Sequence, residues 1–288
     1  MASSKPVSNP GQQSRGFMIA VIAILVAIAA VIAYFMMSNK PEERAIDDAK
    51  FTMTQQDNAF VLAADNLKPN TPVVDLYEDY SCTHCAQLHD TDHDDMLNAL
   101  NDGKLALHIR SLAFMDETDG VDPKEAQTKA SHQSLAALLA VAQSGDASLF
   151  WNYRDMLFQK QADVYHKFSP EDYAKLAADL GASEEVQQDI KDTKYLPDAQ
   201  KVYKANGDKM KALGSKISSP TLYVGDKKLD LKKTGMDWIS KVIDGKTDIY
   251  TDPKEEAAEE AKASEASASA AGEAASAEAS AAATTAAQ

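Results

Sequence analysis

Val73-Val74-Asp75-Leu76-Tyr77-Glu78-Asp79-Tyr80-Ser81-Cys82-Thr83-His84-Cys85-Ala86-Gln87-Leu88-His89-Asp90 is the stretch on which the fold turns. Residues 73–77 are rich in β-formers and read as a strand. Residues 86–100 read as a helix, with Leu88, Met96, Leu97 and Leu100 as core positions, and Asn101-Asp102-Gly103 stops it. Residues 105–112 alternate enough to form a second strand. Strand, Cys-x-x-Cys, helix, strand is a βαβ unit with a dithiol at its first junction.

Cys82 and Cys85 are the only two cysteines of the 288 residues. A core of this size needs no disulfide framework. The loop between them is too short to constrain the unfolded chain much, so the reason for the pair is chemical. In the first turn of a helix Cys82 is the exposed sulfur, and helix N–H groups and the macrodipole favour its thiolate. His84, when protonated, adds a charge-assisted contact. A stabilised thiolate stabilises the reduced form and makes the disulfide a better oxidant. Cys82 is then the sulfur attacked by a substrate thiolate, Cys85 the resolving partner, and the couple needs no cofactor beyond its own disulfide. A competing reading is a metal-binding module, because Cys82, Cys85, His89 and His93 offer four zinc-type ligands. Against it, all four crowd onto one helix start, and His89 and His93 stand among Asp90, Asp92, Asp94 and Asp95, which suits a solvated face.

Outward from this unit, residues 59–62 suggest a short strand and residues 66–72 a turn. Residues 124–214 are helical almost throughout. Helices are expected over 126–142 and 149–159, then from a Ser169 cap with Pro170 just inside to Gly181. Residues 184–213 hold one or two more, broken at Pro197. The aromatics of residues 150–158 have helical spacing and read as packing. Residues 221–224 form a strand, 225–228 a turn, 229–231 the returning strand, and 236–243 a last helix. From residue 254 the chain is Ala, Ser, Glu, Thr and Gln, which cannot bury a core.

Residues 17–37 form an uncharged apolar run of 21 residues, long enough for an uncleaved membrane anchor. Basic residues are nearly even on its two sides, and the short leader tips the topology to N-inside, with the catalytic domain extracytoplasmic. The net charge of -15 argues against nucleic acid as a partner, which needs clustered Lys and Arg.

Three stretches resemble the DsbA-like branch of the thioredoxin family: residues 73–90, residues 217–227 (Ile-Ser-Ser-Pro-Thr-Leu-Tyr-Val-Gly-Asp-Lys), and residues 150–158 within the helical block between them. The resemblance covers roughly residues 51–244. It implies an α/β thioredoxin fold with an inserted all-helical domain. The expected organisation is a leader (1–16), an anchor (17–37), a linker (38–50), a first thioredoxin part (51–122), the insert (123–215), a second thioredoxin part (216–250) and a low-complexity tail (251–288). It also implies that Pro220 is cis and lies against the Cys82 sulfur, leaving the Ser219 backbone to pair with a substrate chain. Thr83 and Thr221 flank that surface as further substrate contacts. Thr83 stands where many relatives have proline. Relatives also hold a buried acid six residues before the first cysteine. Here that position is Leu76, and Asp75, Glu78 or water is left to relay the proton of Cys85. The implied activity is introduction of disulfides into unfolded exported proteins, by a monomer anchored in the bilayer and re-oxidised by a quinone-coupled membrane enzyme of the DsbB or vitamin K epoxide reductase type. A reductase or isomerase of the same fold is the alternative.

Overall fold

The computed structural model describes residues 19–28, 45–117, 122–126 and 128–253. They fall into two units, divided after Ala45. In the first, residues 19–28 are helical with exposed side chains. Among the described residues no helix is long and apolar enough to cross a membrane. The rest of the expected anchor, the leader and the tail from residue 254 lie outside the described residues.

The second unit is built on a seven-stranded sheet of order β1-β2-β4-β3-β5-β6-β7. Its strands are β1 (Thr52–Gln56), β2 (Ala59–Ala63), β3 (Val73–Glu78), β4 (Ala106–Ser111), β5 (Thr221–Val224), β6 (Lys227–Leu229) and β7 (Tyr250–Thr251). The helices are α1 (Thr83–Asn101), α2 (Pro123–Ala126), α3 (Ala130–Ala142), α4 (Ala147–Gln159), α5 (Gln161–Lys167), α6 (Pro170–Asp179), α7 (Glu184–Lys191), α8 (Leu196–Ala212), α9 (Leu231–Thr234) and α10 (Trp238–Ile243).

β3 is central because both its neighbours are apolar at the same level. Leu76 pairs with Ile109 of parallel β4 and with Leu222 of antiparallel β5, and all three are buried. Each contributes about 1.5–3 kcal/mol by leaving water. The β3-α1-β4 crossover places the start of α1 just beyond the end of β3. The chain returns to the sheet through α8, which packs closely at Gly207. A Cβ there would meet Ile217 Cδ1 at 2.8 Å, so a larger residue would push the end of the Ile217 side chain aside in the segment that leads to Ser219.

Several element bounds differ from expectation for local reasons. β1 has mixed polarity along its length, and it pairs through a two-residue turn in which Asp57 and Asn58 both take positive φ, the geometry a tight hairpin demands. The second hairpin turn is only Gly225-Asp226, so β6 begins at Lys227 and Leu231 already opens α9. Pro197 starts α8 rather than breaking a helix, since its missing N–H costs nothing in the first turn. Thr251 belongs to the sheet rather than to the tail. The end of the linker is part of the fold: Asp47 N donates to Asn152 Oδ1 (2.8 Å), Ala49 N to Ser148 Oγ (2.9 Å) and Lys50 N to Asn101 Oδ1 (2.7 Å).

The insert is organised around α3, buried along nearly its whole length. α6 is closed at its start by a capping box of Ser169 and Asp172. The insert is tied to the sheet by a buried ion pair, Glu78 to Arg154, with Nε–Oε1 at 2.7 Å and Nη2–Oε2 at 2.6 Å.

A second buried acid joins the two thioredoxin parts. Asp92 on α1 accepts from Trp238 Nε1 at 2.9 Å, and its other oxygen has no partner. Burial pushes its carboxyl up to about 7, against the Trp238 bond. A carboxyl raised on folding stabilises fully below its unfolded value and loses that contribution as pH rises through about 7. Asp92→Asn keeps an acceptor for Trp238 and removes the charge. It is expected to gain about 1–3 kcal/mol near pH 8 and little below about pH 4, read as pH-dependent melting temperatures.

Candidate active site

Cys82 is the N-cap of α1, with extended backbone (φ -81, ψ 117). Its carbonyl accepts from Cys85 N (3.0 Å) and Ala86 N (3.2 Å), which closes the first turn and sets the two sulfurs side by side. Both cysteines are free thiols, and both are buried; Cys82 is not the exposed sulfur expected of a first helical turn, because the segment carrying Ser219 lies against it. From 137 residues further on, the Ser219 carbonyl accepts from the Cys82 thiol at 3.4 Å. The Ser219–Pro220 peptide is cis. Pro220 thus follows directly on the carbonyl that meets the Cys82 sulfur, at the head of β5.

The two sulfurs are driven apart electrostatically. The Cys85 thiol donates to Cys82, and the Ser219 side chain and the backbone N–H groups of Cys85 and His84 add to it. Together they outweigh burial and bring Cys82 down to about 5. Burial raises Cys85 well above an ordinary thiol, and the neighbouring Cys82 reinforces this. The pair can therefore hold one thiolate and one thiol at neutral pH.

His84 contributes through its backbone N–H, while its ring is exposed. Thr83 is exposed beside it. Thr221 is buried, and its hydroxyl is taken up by Ser218, donating to Ser218 O at 3.0 Å. It shapes the turn before β5 and offers no free group.

Both expected relay acids are engaged by other partners. Asp75 is bonded to His108 Nδ1 (2.9 Å) and lies 3.1 Å from Arg110 Nε. Burial would raise it, but these two partners outweigh burial and hold it below the usual carboxylate value. A group kept ionised is a poor proton carrier. Glu78 has both oxygens committed to Arg154, with Tyr80 Oη donating at 3.2 Å. The acid that sequence reasoning missed is Asp79. It is fully buried and accepts from Ser81 N (2.9 Å), Ser131 Oγ (2.6 Å) and Met115 N (3.1 Å). One signal was present: an Asp two residues before a Ser in a strand-to-helix corner suits an Asx turn.

The four-ligand metal reading fails. His89 and His93 are buried rather than solvated, because α4 covers them. Among the described residues the group close enough to hold an ion is His89, His93 and Asp155, without either cysteine. Arg154 Nη1 lies 3.1 Å from His89 Nδ1. Arginine only donates, so Nδ1 accepts, and Nε2 carries the proton donated to Asp155 Oδ1 at 2.7 Å. Burial, then Arg154, push His89 down to about 3, which keeps it neutral. His93 Nε2 and Trp151 Nε1 both meet Asp47 Oδ2, at 2.7 and 3.2 Å. The cluster is a hydrogen-bonded seam between α1, α4 and the end of the linker.

The family description "Thioredoxin" matches residues 68–245. Among solved structures, the MdbA protein of Corynebacterium diphtheriae, a thiol-disulfide oxidoreductase, is 35% identical. The match covers 70% of this chain and 98% of that one, with a TM-score of 0.63. MdbA of Corynebacterium matruchotii is 27% identical over 67% of this chain and 93% of that one, at a TM-score of 0.61. BdbD of Bacillus subtilis, 20% identical over 69% and 98%, shares the fold at a TM-score of 0.51. A search of curated protein sequences found no match.

Titration of the reduced protein by thiolate ultraviolet absorbance is expected to give a first midpoint near pH 5, assigned to Cys82 by its loss in Cys82→Ser. A first midpoint near the ordinary ~8.5 would contradict the site as described.

Proposed function

Because the chain belongs to the thioredoxin family, we propose that it is a disulfide oxidoreductase working as an oxidase, which introduces disulfides into unfolded polypeptides outside the cytoplasm. The observation that carries this reading is the unequal pair: Cys82 lowered to about 5 and Cys85 raised. A dithiol that holds one sulfur as thiolate is stable when reduced, so its disulfide gives up its oxidising equivalents readily.

In the oxidised protein a substrate thiolate attacks the Cys82 sulfur. The Cys82–Cys85 bond breaks, its electron pair goes to Cys85, and that sulfur takes a proton, as its raised value favours. A mixed disulfide now joins substrate and Cys82. A second substrate thiolate attacks the substrate sulfur of this bond and expels Cys82 as thiolate. The substrate has lost two electrons and gained a disulfide, and the protein has become a dithiol. The Ser219 backbone at the head of β5 suits an extended peptide laid along the sulfurs. The couple is its own cofactor. It returns to the disulfide by passing two electrons to a quinone-coupled membrane oxidase of the DsbB or vitamin K epoxide reductase type. Residues 17–37 hold the chain in the membrane as a single-pass anchor with residues 46–253 outside.

Wild-type protein is expected to restore activity to a reduced, unfolded disulfide protein. Cys82→Ser should leave only the uncatalysed rate. Cys85→Ser has no disulfide of its own, so it should oxidise nothing unless oxidised glutathione is supplied, when it forms a mixed disulfide that reducing agent releases. The potential of the couple is expected nearer about -120 mV than about -270 mV. The lower value would mean a reductase.

A further inference from the structure

Asp79 touches more of the site than its side chain alone suggests. Its backbone N–H faces the Cys85 sulfur, and its carbonyl accepts from Cys82 N at 3.0 Å. Its carboxylate takes Ser81 N from the same corner, Met115 N from the turn after β4, and Ser131 Oγ from the first turn of α3. Ser131 is therefore a bond from the insert into the cysteine corner. A second buried carboxylate lies beside it. Asp116 accepts from Ser131 N (3.2 Å) and His132 N (2.8 Å) and meets His132 Nδ1 at 3.0 Å. Lys129, the N-cap of α3, makes no side-chain cap. Asp116 caps that helix from outside it, and Asp79 fastens the same turn to the cysteines.

Resting on the redox reading of Cys82 and Cys85, we infer that Asp79 is a positioning residue through which the helical insert, by way of Ser131, sets the redox poise of the pair. The backbone bonds hold both cysteines in register. The carboxylate adds a charge that opposes the Cys82 thiolate whenever it is ionised. Burial brings Asp79 up to about 7, against its three donors and with Asp116 reinforcing burial. The charged and titratable groups around it are Cys82 and Cys85 of α1, Asp116 and Glu117 of the turn after β4, His132 of α3, and Tyr203 of α8, whose hydroxyl donates to Glu117 at 2.9 Å. Below about 7 the neutral carboxyl leaves the thiolate unopposed. Above it the carboxylate disfavours the reduced form, so the disulfide becomes a weaker oxidant than its thiols alone dictate.

The test measures the equilibrium of the full-length chain, in detergent, with reduced and oxidised glutathione between about pH 6 and about pH 8.5. Asp79→Asn is expected to be more oxidising than wild type by about tenfold in equilibrium constant at the upper end, and to converge within about twofold at the lower end. Ser131→Ala removes one donor from the carboxylate, raises it further, and should move the bend in the wild-type curve to higher pH. It decides the matter where Asp79→Asn does not fold. If both variants follow the wild-type curve at every pH and differ only in melting temperature, Asp79 is structural and the inference falls. If wild type itself shows no glutathione-dependent couple, it is the redox reading that fails.

Discussion

A thiolate held out of water needs donors, and the site is organised around that need. One sulfur at a helix N-cap meets the backbone N–H groups of the first turn and the thiol three residues on. Those donors exist only if α1 begins at Thr83 and the chain before it ends cleanly at the sheet. The remaining wall of the site comes from Ser219, which requires β5 to lie against β3. The central position of β3, the start of α1 and the close approach of α8 at Gly207 all serve the placement of one sulfur.

The helical insert is more than a lid on this arrangement. It meets the thioredoxin part through buried polar contacts rather than apolar ones alone. Glu78 and Arg154 neutralise each other, and Gln161 Nε2 donates to the carbonyls of Tyr80 (2.8 Å) and Cys82 (3.0 Å). Asp79 receives Ser131. Breaking one partner of such a pair leaves a buried charge and costs about 3–5 kcal/mol. These contacts fix orientation more tightly than an oily interface would, because a hydrogen bond weakens steeply as it bends.

The elements nearest the cysteines were legible in the sequence because their signals are local. Residues 73–77 carry two valines and a tyrosine beside a Cys-x-x-Cys, and Ser169-Pro170 announces a helix start. The second hairpin was legible as a hairpin but not in its register, since a two-residue turn and a four-residue turn share the same Gly-Asp signal. His89 and His93 were misread because what buries them, α4, lies some sixty residues away in sequence. Glu78 and Asp79 were interchangeable as adjacent acids. Which one meets Arg154 and which one meets Ser131 depends on the direction each side chain leaves the strand end, and composition does not carry that.

The separation of 137 residues between Cys82 and Ser219 also has a meaning in time. The β3-α1-β4 crossover is local and can form as soon as its residues have been made, whereas β5 closes against β3 only after the whole insert has been synthesised. For that interval the newborn chain carries its dithiol without the carbonyl and strand that later enclose it. A protein whose task is to exchange disulfides is thus, while being born, open to the same exchange. With no third cysteine in the chain, the only bond it can make within itself is the one it is meant to carry.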